Sequence, residues 1–261
     1  MTLMRVKNKN IDYHVIVGLL YREIQTRFGS KQFGYFWGIF DAMLMIIIFA
    51  GLKKIVSSNS MLHLDFTVFL AIGFLSFFLW KNIVNKSLTA FSANKALFLY
   101  QRVRPYHTLL TRLFLEVLIS ISTIFIFLFI GWFFGFDLSI DNFLFTILSL
   151  GWLIVFGFSI GFLSSILSEL YEIYAKVMNI LLSPLLFISA IMYSVESLPP
   201  KLQELILYNP LVHFMELIHG FYFKSLNTNH VDFEYIFYWT VVPLILGLYL
   251  YRKHEERIIS S

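Results

Sequence analysis

The fold class this sequence predicts is an all-α integral membrane protein. It has six transmembrane helices, an N-terminal interfacial helix, and a re-entrant or interfacial helical hairpin before the last span. Three observations lead there. A charged amphipathic stretch ends at Phe28, and after Gly29-Ser30-Lys31 come about 20 mostly apolar residues from Phe33 to Leu52. At 1.5 Å per residue that run is roughly 30 Å long, the thickness of a bilayer's hydrocarbon core. Five further apolar runs follow along the 261 residues. Finally, 58% of the chain is hydrophobic and only 14% charged, where a soluble domain carries about 25% charged residues. Much of this surface therefore faces lipid.

In chain order, residues 1–10 are basic and expected to be loose. The N-terminus MTLMRVKNKNIDYH lacks the apolar core and small-residue cleavage site of a signal peptide, so it is expected to stay in the cytoplasm. A helix is expected over 11–28. Val17, Leu20, Ile24 and Phe28 fall on one stripe, and Arg22, Gln25 and Thr26 lie roughly opposite. Such a helix suits the surface of the cytoplasmic leaflet. Its charged candidates are Arg22, Glu23 and Arg27, with Arg27 flanking the stripe and placed to snorkel.

The six spans are expected at 33–52, 66–85, 113–134, 143–167, 174–195 and 235–251. The loop 53–65 is short and polar. The segment 86–112 is longer and carries Lys86, Lys95, Arg102, Arg104 and Arg112. Within it, 94–104 suits a short helix. Ala96, Leu97, Leu99 and Tyr100 give it an apolar surface, Arg102 and Arg104 suit the C-terminal end of its dipole, and Pro105 is expected to stop it. On the other reading, these basic residues only enforce topology. Residues 135–142 make a tight acidic turn, and 168–173 carry Glu169 and Glu172. The connection 196–234 is broken by Pro199-Pro200 and Asn209-Pro210 into amphipathic pieces at about 201–208 and 211–223. Both are too short and polar to span, which fits a hairpin packed on protein. The chain reads as one domain, 1–261, with a cytoplasmic tail from residue 252.

Orientation follows from Lys and Arg. With six spans, one side holds both termini and sixteen of the 20 basic residues; the other holds Lys53, Lys54, Lys201 and Lys224. Both termini are therefore expected in the cytoplasm. The basic residues do not pool into a nucleic-acid-binding patch.

Motifs for chemistry within the chain are missing. Cysteine is absent, which excludes disulfides and thiolate metal sites. No GxxxxGK[ST], HExxH or GxSxG occurs, and Gly29-Ser30-Lys31 lacks the upstream glycine and strand of a phosphate loop. His213 and Glu216 share a helix face at i, i+3. Without a nucleophile they suit a polar contact fixing the hairpin, together with Asn209 and Pro210. Asp41 lies near the middle of the first span, where a carboxylate faces protein or a water-filled path; both readings stay open. Lys81 and Glu116 lie near span ends and are expected to snorkel. The aromatics Tyr35, Phe36, Trp37, Trp80, Phe187 and Tyr193 are candidates for a sugar-polymer path, since aromatic faces pack on sugar C–H groups. Interfacial belts and helix contacts are their ordinary alternative.

Four stretches together resemble a known family. REIQTRFGSKQFGYFWGIFD resembles the opening motif of membrane subunits of ABC-2 type polysaccharide exporters. ANKALFLYQRVRP resembles their first cytoplasmic coupling segment, NPLVHFMELIHG their hairpin before the last span, and YRKHEE their tail. The likeness covers most of the chain in order and is strongest to the capsular polysaccharide exporters. One departure is Ala42, where the family commonly places Pro after an acidic residue.

The resemblance implies a homodimeric permease, with two copies of a separate ATPase subunit that bind the ATP and Mg; no cofactor is expected in this chain. It implies export of lipid-linked capsular polysaccharide across a bacterial inner membrane. A periplasmic co-polymerase and outer-membrane export proteins would continue the path. Contacts to the ATPase subunit would involve Asn94, Leu97, Tyr100, Arg102, Arg104, Glu169 and Glu172. Alternatives are export of O-antigen or a teichoic-acid-type polymer, a membrane glycosyl- or acyltransferase, and a non-transporting scaffold or channel.

Overall fold

The computed structural model describes residues 9–28, 34–56, 66–100 and 102–260, and the described residues are helices and their connections, with no strand among them. The α-helices among the described residues are α1 (Lys9–Phe28), α2 (Gly34–Val56), α3 (Phe66–Leu88), α4 (Pro105–Phe134), α5 (Phe143–Leu170), α6 (Glu172–Leu182), α7 (Leu185–Ile188), α8 (Pro200–Ile206), α9 (Pro210–Tyr222) and α10 (Phe233–Ser260). A 3₁₀ helix, Ser92–Leu99, forms an elbow between α3 and α4. Four helices among the described residues are long and apolar enough to cross a membrane: α3, α4, α5 and α10. Within α2, Ala42–Leu52 forms a shorter apolar stretch.

Helix α3 is the centre of the bundle, with buried residues on every side, including Phe74, Phe77 and Trp80. It crosses α5 closely because α5 carries glycine at i, i+4. A Cβ on Gly161 would lie 2.6 Å from Ser87 Oγ, and one on Gly157 would lie 3.2 Å from Trp80 Cδ1. Small residues at that spacing let two helix backbones approach. In the room this leaves, Trp80, Phe156 and Phe214 stack in a row at ring separations of 5.9 and 4.9 Å. That row joins α3, α5 and α9. Hydroxyls complete the seams: Ser168 donates to Leu88 O at 2.6 Å, and Ser159 donates to Thr240 O on α10. A second apolar cluster joins Phe91 and Phe98 of the elbow region to Tyr251 and Ile258 of α10. The C-terminal end of α10 therefore lies at the same end of the bundle as the elbow.

Three segments depart from the expectations. Helix α4 begins at Pro105, eight residues before the expected span at 113. Proline sits there at the first helical position, where its missing N–H costs nothing and its φ suits the helix. Pro105 thus starts α4 instead of stopping a helix over 94–104; the elbow already ends at Leu99. The span expected over 174–195 is broken in two. Pro184 leaves the turn after α6 without an N–H donor, and α7 ends in a bend where Ala190 has φ 54°. At the far end of α4, Gly135 adopts φ 73° and its neighbour Phe136 donates to Gly131 O at 2.9 Å, a glycine-capped stop.

Candidate functional site

The charged side of α1 faces inward. Glu23 and Arg27, one turn apart, pair with each other: Glu23 Oε1 accepts from Arg27 Nε at 3.1 Å and lies 3.0 Å from its Nη2. The same carboxylate oxygen is 3.3 Å from Nε of Arg112 on α4. Arg27 Nη1 donates to Glu116, one turn further along α4. Arg112 Nη1 donates to Lys86 O at 2.5 Å and to Thr89 Oγ1 at 2.9 Å, at the root of the elbow. Arg22 Nη2 donates to Asn94 Oδ1 at 2.9 Å, and Asn94 donates back to Ala90 O at 2.8 Å. On its other side the elbow is held by Lys95, 2.7 Å from Glu169 of α5.

These contacts correct two expectations. Glu116 is 2% exposed and ion-paired, so it does not snorkel; nor does Arg27, which points at Glu116 and not along the lipid-facing stripe. Both charges are satisfied inside the protein because α4 starts early enough to carry Arg112 and Glu116 past α1. Lys81 rests over the Phe78 ring at 5.8 Å. The outward side of α1 carries the exposed apolar groups Tyr13, Val17, Tyr21 and Ile24 together with the exposed polar groups His14, Gln25 and Thr26.

The elbow has an inner and an outer side. Asn94 is buried and Leu97 half-buried, whereas Leu99 is 82% and Tyr100 66% exposed. Arg102 is exposed and Glu172 is exposed at the start of α6. Of the residues assigned to ATPase contact, Asn94 and Glu169 therefore act as internal struts. Arg104 is half-buried and its backbone N–H donates to His107 Nδ1 at 3.1 Å, inside the first turn of α4. Leu99, Tyr100 and Arg102 are left as a free apolar-and-cationic face.

At the opposite end, α9 packs along the N-terminal half of α5. Its last carbonyls, Phe221 and Tyr222, accept from Asn142 and Asp141, just before α5. Asn209 caps its start: Oδ1 accepts from Leu211 N at 3.1 Å, while Nδ2 donates to Ile188 O and Ser189 Oγ. Pro210 takes the first helical position. His213 lies 2.8 Å from Leu207 O through Nε2 and accepts from Asp232 N through Nδ1. Glu216 accepts from Val195 N at 2.8 Å. These two share a face and serve different strands of the connection, pinning both ends of the hairpin to α9.

The aromatic candidates separate. Tyr35, Phe36, Trp37 and Asp41 belong to α2, but their side chains lie outside the described residues. Trp80 is buried in the stack with Phe156. The close α3–α5 crossing encloses its ring. Phe187 is exposed, and Tyr193 donates its hydroxyl to Phe187 O at 3.3 Å. The structure brings those two together beyond the Pro184 break.

Arg112, Glu116, Thr89 and Lys95 were missed as members of one charged network. The i, i+4 spacing of Arg112 and Glu116 was the available signal, but their partners lie far along the chain. The Gly157/Gly161 pair was also legible as a close-packing motif.

Comparison with known proteins gives a consistent neighbourhood. The profile of the ABC-2 type transporter family matches residues 14–223. The chain is 35% identical over 246 residues to the polysialic acid transport protein KpsM of Escherichia coli, covering 94% of this chain and 95% of that protein. It is 28% identical over 254 residues to the capsule polysaccharide export inner-membrane protein CtrC of Neisseria meningitidis, covering 95% and 94%. It is 26% identical over 252 residues to the capsule polysaccharide export inner-membrane protein BexB of Haemophilus influenzae, again covering 95% and 94%.

Proposed function

This chain belongs to the ABC-2 type transporter family, and from that premise we propose that it is the permease subunit of an ATP-driven exporter of lipid-linked capsular polysaccharide in a bacterial inner membrane. The observation that carries the proposal is the 35% identity to a polysialic acid transport protein over nearly the full length of both chains. The capsule-export names of the other relatives point the same way.

The membrane is crossed six times: by α2, α3, α4, α5, the broken pair α6–α7, and α10. The hairpin α8–α9 enters from the periplasmic side and returns. What supports this is the position of α9 beside the N-terminal half of α5, together with a length of 13 residues, too short for a crossing. Helix α1 lies on the cytoplasmic leaflet with Tyr13, Val17, Tyr21 and Ile24 toward lipid. Both termini are cytoplasmic, in keeping with the bias of Lys and Arg.

ATP is hydrolysed by two copies of a separate subunit, which hold the nucleotide and Mg. They dock on the elbow through Leu99, Tyr100 and Arg102 of each protomer of a homodimer. A periplasmic co-polymerase and outer-membrane proteins receive the polymer. The chain supplies no reaction step; it supplies a path and a lever. Tyr35, Phe36, Trp37, Asp41, Trp80, Phe187 and Tyr193 are the path candidates.

Reconstitution tests the proposal. The chain, the partner ATPase and lipid-linked capsular polymer are placed in proteoliposomes. ATP-dependent movement of polymer to the opposite face is expected, and it stops when the chain is omitted. ATP hydrolysis without polymer movement, under conditions where KpsM moves polymer, would overturn it.

A further inference from the structure

The amphipathic helix and the elbow are separate in sequence, yet their charges interlock. From α1 come Arg22, Glu23 and Arg27; from α4, Arg112 and Glu116; from the root and body of the elbow, Lys86 O, Thr89, Asn94 and Lys95; from α5, Glu169. Glu23 occupies the junction, because one carboxylate oxygen faces guanidiniums from two helices. Without its charge, Arg27 and Arg112 repel across a partly desolvated gap with Glu116 alone between them. A charge stranded there is costly, since water is too scarce to screen it. Arg112 is also the group that grips the root of the elbow.

The rest of α1's inward face, Val15, Ile16, Leu19 and Leu20, is only half-buried. Apolar contact of that kind is non-directional and permits sliding. Directional attachment comes from the charges.

Resting on the reading of the elbow as the ATPase docking element, we propose that Glu23 is a positioning residue that welds α1 and the elbow into one rigid body. A push on Leu99, Tyr100 and Arg102 then moves α1 with the elbow. Only five residues, 29–33, separate α1 from α2, so the displacement is delivered to the first membrane helix. The weld stays closed throughout the transport cycle.

The absence of cysteine makes a direct test available. Arg22→Cys with Asn94→Cys in a Glu23→Gln background removes both ties and installs a linkable pair in their place. The chain and its ATPase are prepared in inverted vesicles, with and without a short bifunctional maleimide. ATP-dependent uptake of lipid-linked polymer is then measured. The unlinked pair is expected to fall about tenfold, the scale of a coupling free energy, and the linked pair to recover to within about twofold of the parent. An unlinked pair as active as the parent, or a linked pair that stays inactive, would overturn the weld.

Glu23→Gln alone is the second arm. Vesicles are expected to keep the chain, the ATPase and its basal hydrolysis while losing polymer-stimulated hydrolysis. Full stimulation in that variant also overturns the proposal. ATPase retained on the vesicles is quantified in parallel. Its absence from parent vesicles would refute the docking reading, whereas the weld is judged by uptake with and without the linker.

Discussion

Whether a charge looks in or out separates its roles at the scale of single residues. Glu23 and Arg27 stand at a helix-pair spacing that any reader of the sequence can see. The further partner of Arg27, Glu116, lies 89 residues away, and only tertiary packing brings it there. The spacing thus reveals a pair but not a network, and exposure was misjudged where the network closes. Glu116→Ala leaves Arg27 with only Glu23, which Arg112 already shares. Breaking a buried pair on one side costs about 3–5 kcal/mol. The partial exposure of Arg27 places the expected loss at the lower end, read as a drop in melting temperature of the detergent-solubilised chain. A variant melting with the parent would show that water enters the cluster.

Glycines give a second residue-scale contrast. A side chain at Gly161 meets Ser87 at 2.6 Å, whereas a Cβ at Gly151 meets nothing within 4 Å. Gly161→Val is expected to push α3 from α5 and to cut the folded membrane fraction severely. Gly151→Ala is expected to be neutral or to stabilise by up to about 1 kcal/mol, through helix propensity. Folded fractions from size-exclusion profiles separate the two, and equal behaviour would refute the close crossing.

At the scale of elements, apolar periodicity located α3 and α5 to within a few residues, since long buried or lipid-facing helices write themselves plainly in hydropathy; it also placed the start of α10, but that helix runs on through the polar tail to Ser260, past the expected end at 251. The breaks were harder. Pro184 sits inside an apolar run, and hydropathy registers the run but not the lost hydrogen bond. Pro105 reads equally as a stop or a start, because proline both ends and begins helices; its cap decides, and a cap is local geometry. The elbow starts two residues before the expected 94 and ends five before the expected 104. The face proposed for docking is accordingly Leu99, Tyr100 and Arg102, with Leu97 half-buried behind them. Leu99→Asp with Tyr100→Asp leaves every positive charge and every internal strut in place. The chain should insert with unchanged topology, while co-purification of the ATPase falls at least about tenfold, as for other central apolar anchors of an interface. Undiminished recovery of the complex would return the segment to a purely topological role.

The whole molecule is ordered by which end of the bundle each device occupies. The charged cluster, the elbow, α1 and the C-terminal end of α10 gather at one end; the capped hairpin, the turn after Gly135 and the start of α5 gather at the other. In the proposed topology, the charge bias of the sequence puts the first end in the cytoplasm, beside the proposed ATPase partner, and the second in the periplasm. Family likeness carried the function further than composition did, because nothing in hydropathy distinguishes an exporter from any other helical bundle. The two-ended arrangement can be checked on the chain itself, because no native cysteine competes for label. Asn229→Cys, exposed in the connection before α10, and Glu256→Cys, exposed near the end of α10, are prepared separately. Spheroplasts treated with a membrane-impermeant maleimide should label position 229 and leave position 256 untouched. Permeabilisation should expose position 256 as well. Labelling of both sites in intact spheroplasts would put α10 on one side of the bilayer and refute the six-crossing topology. Labelling of position 256 alone would invert it, placing the elbow where no ATP is found.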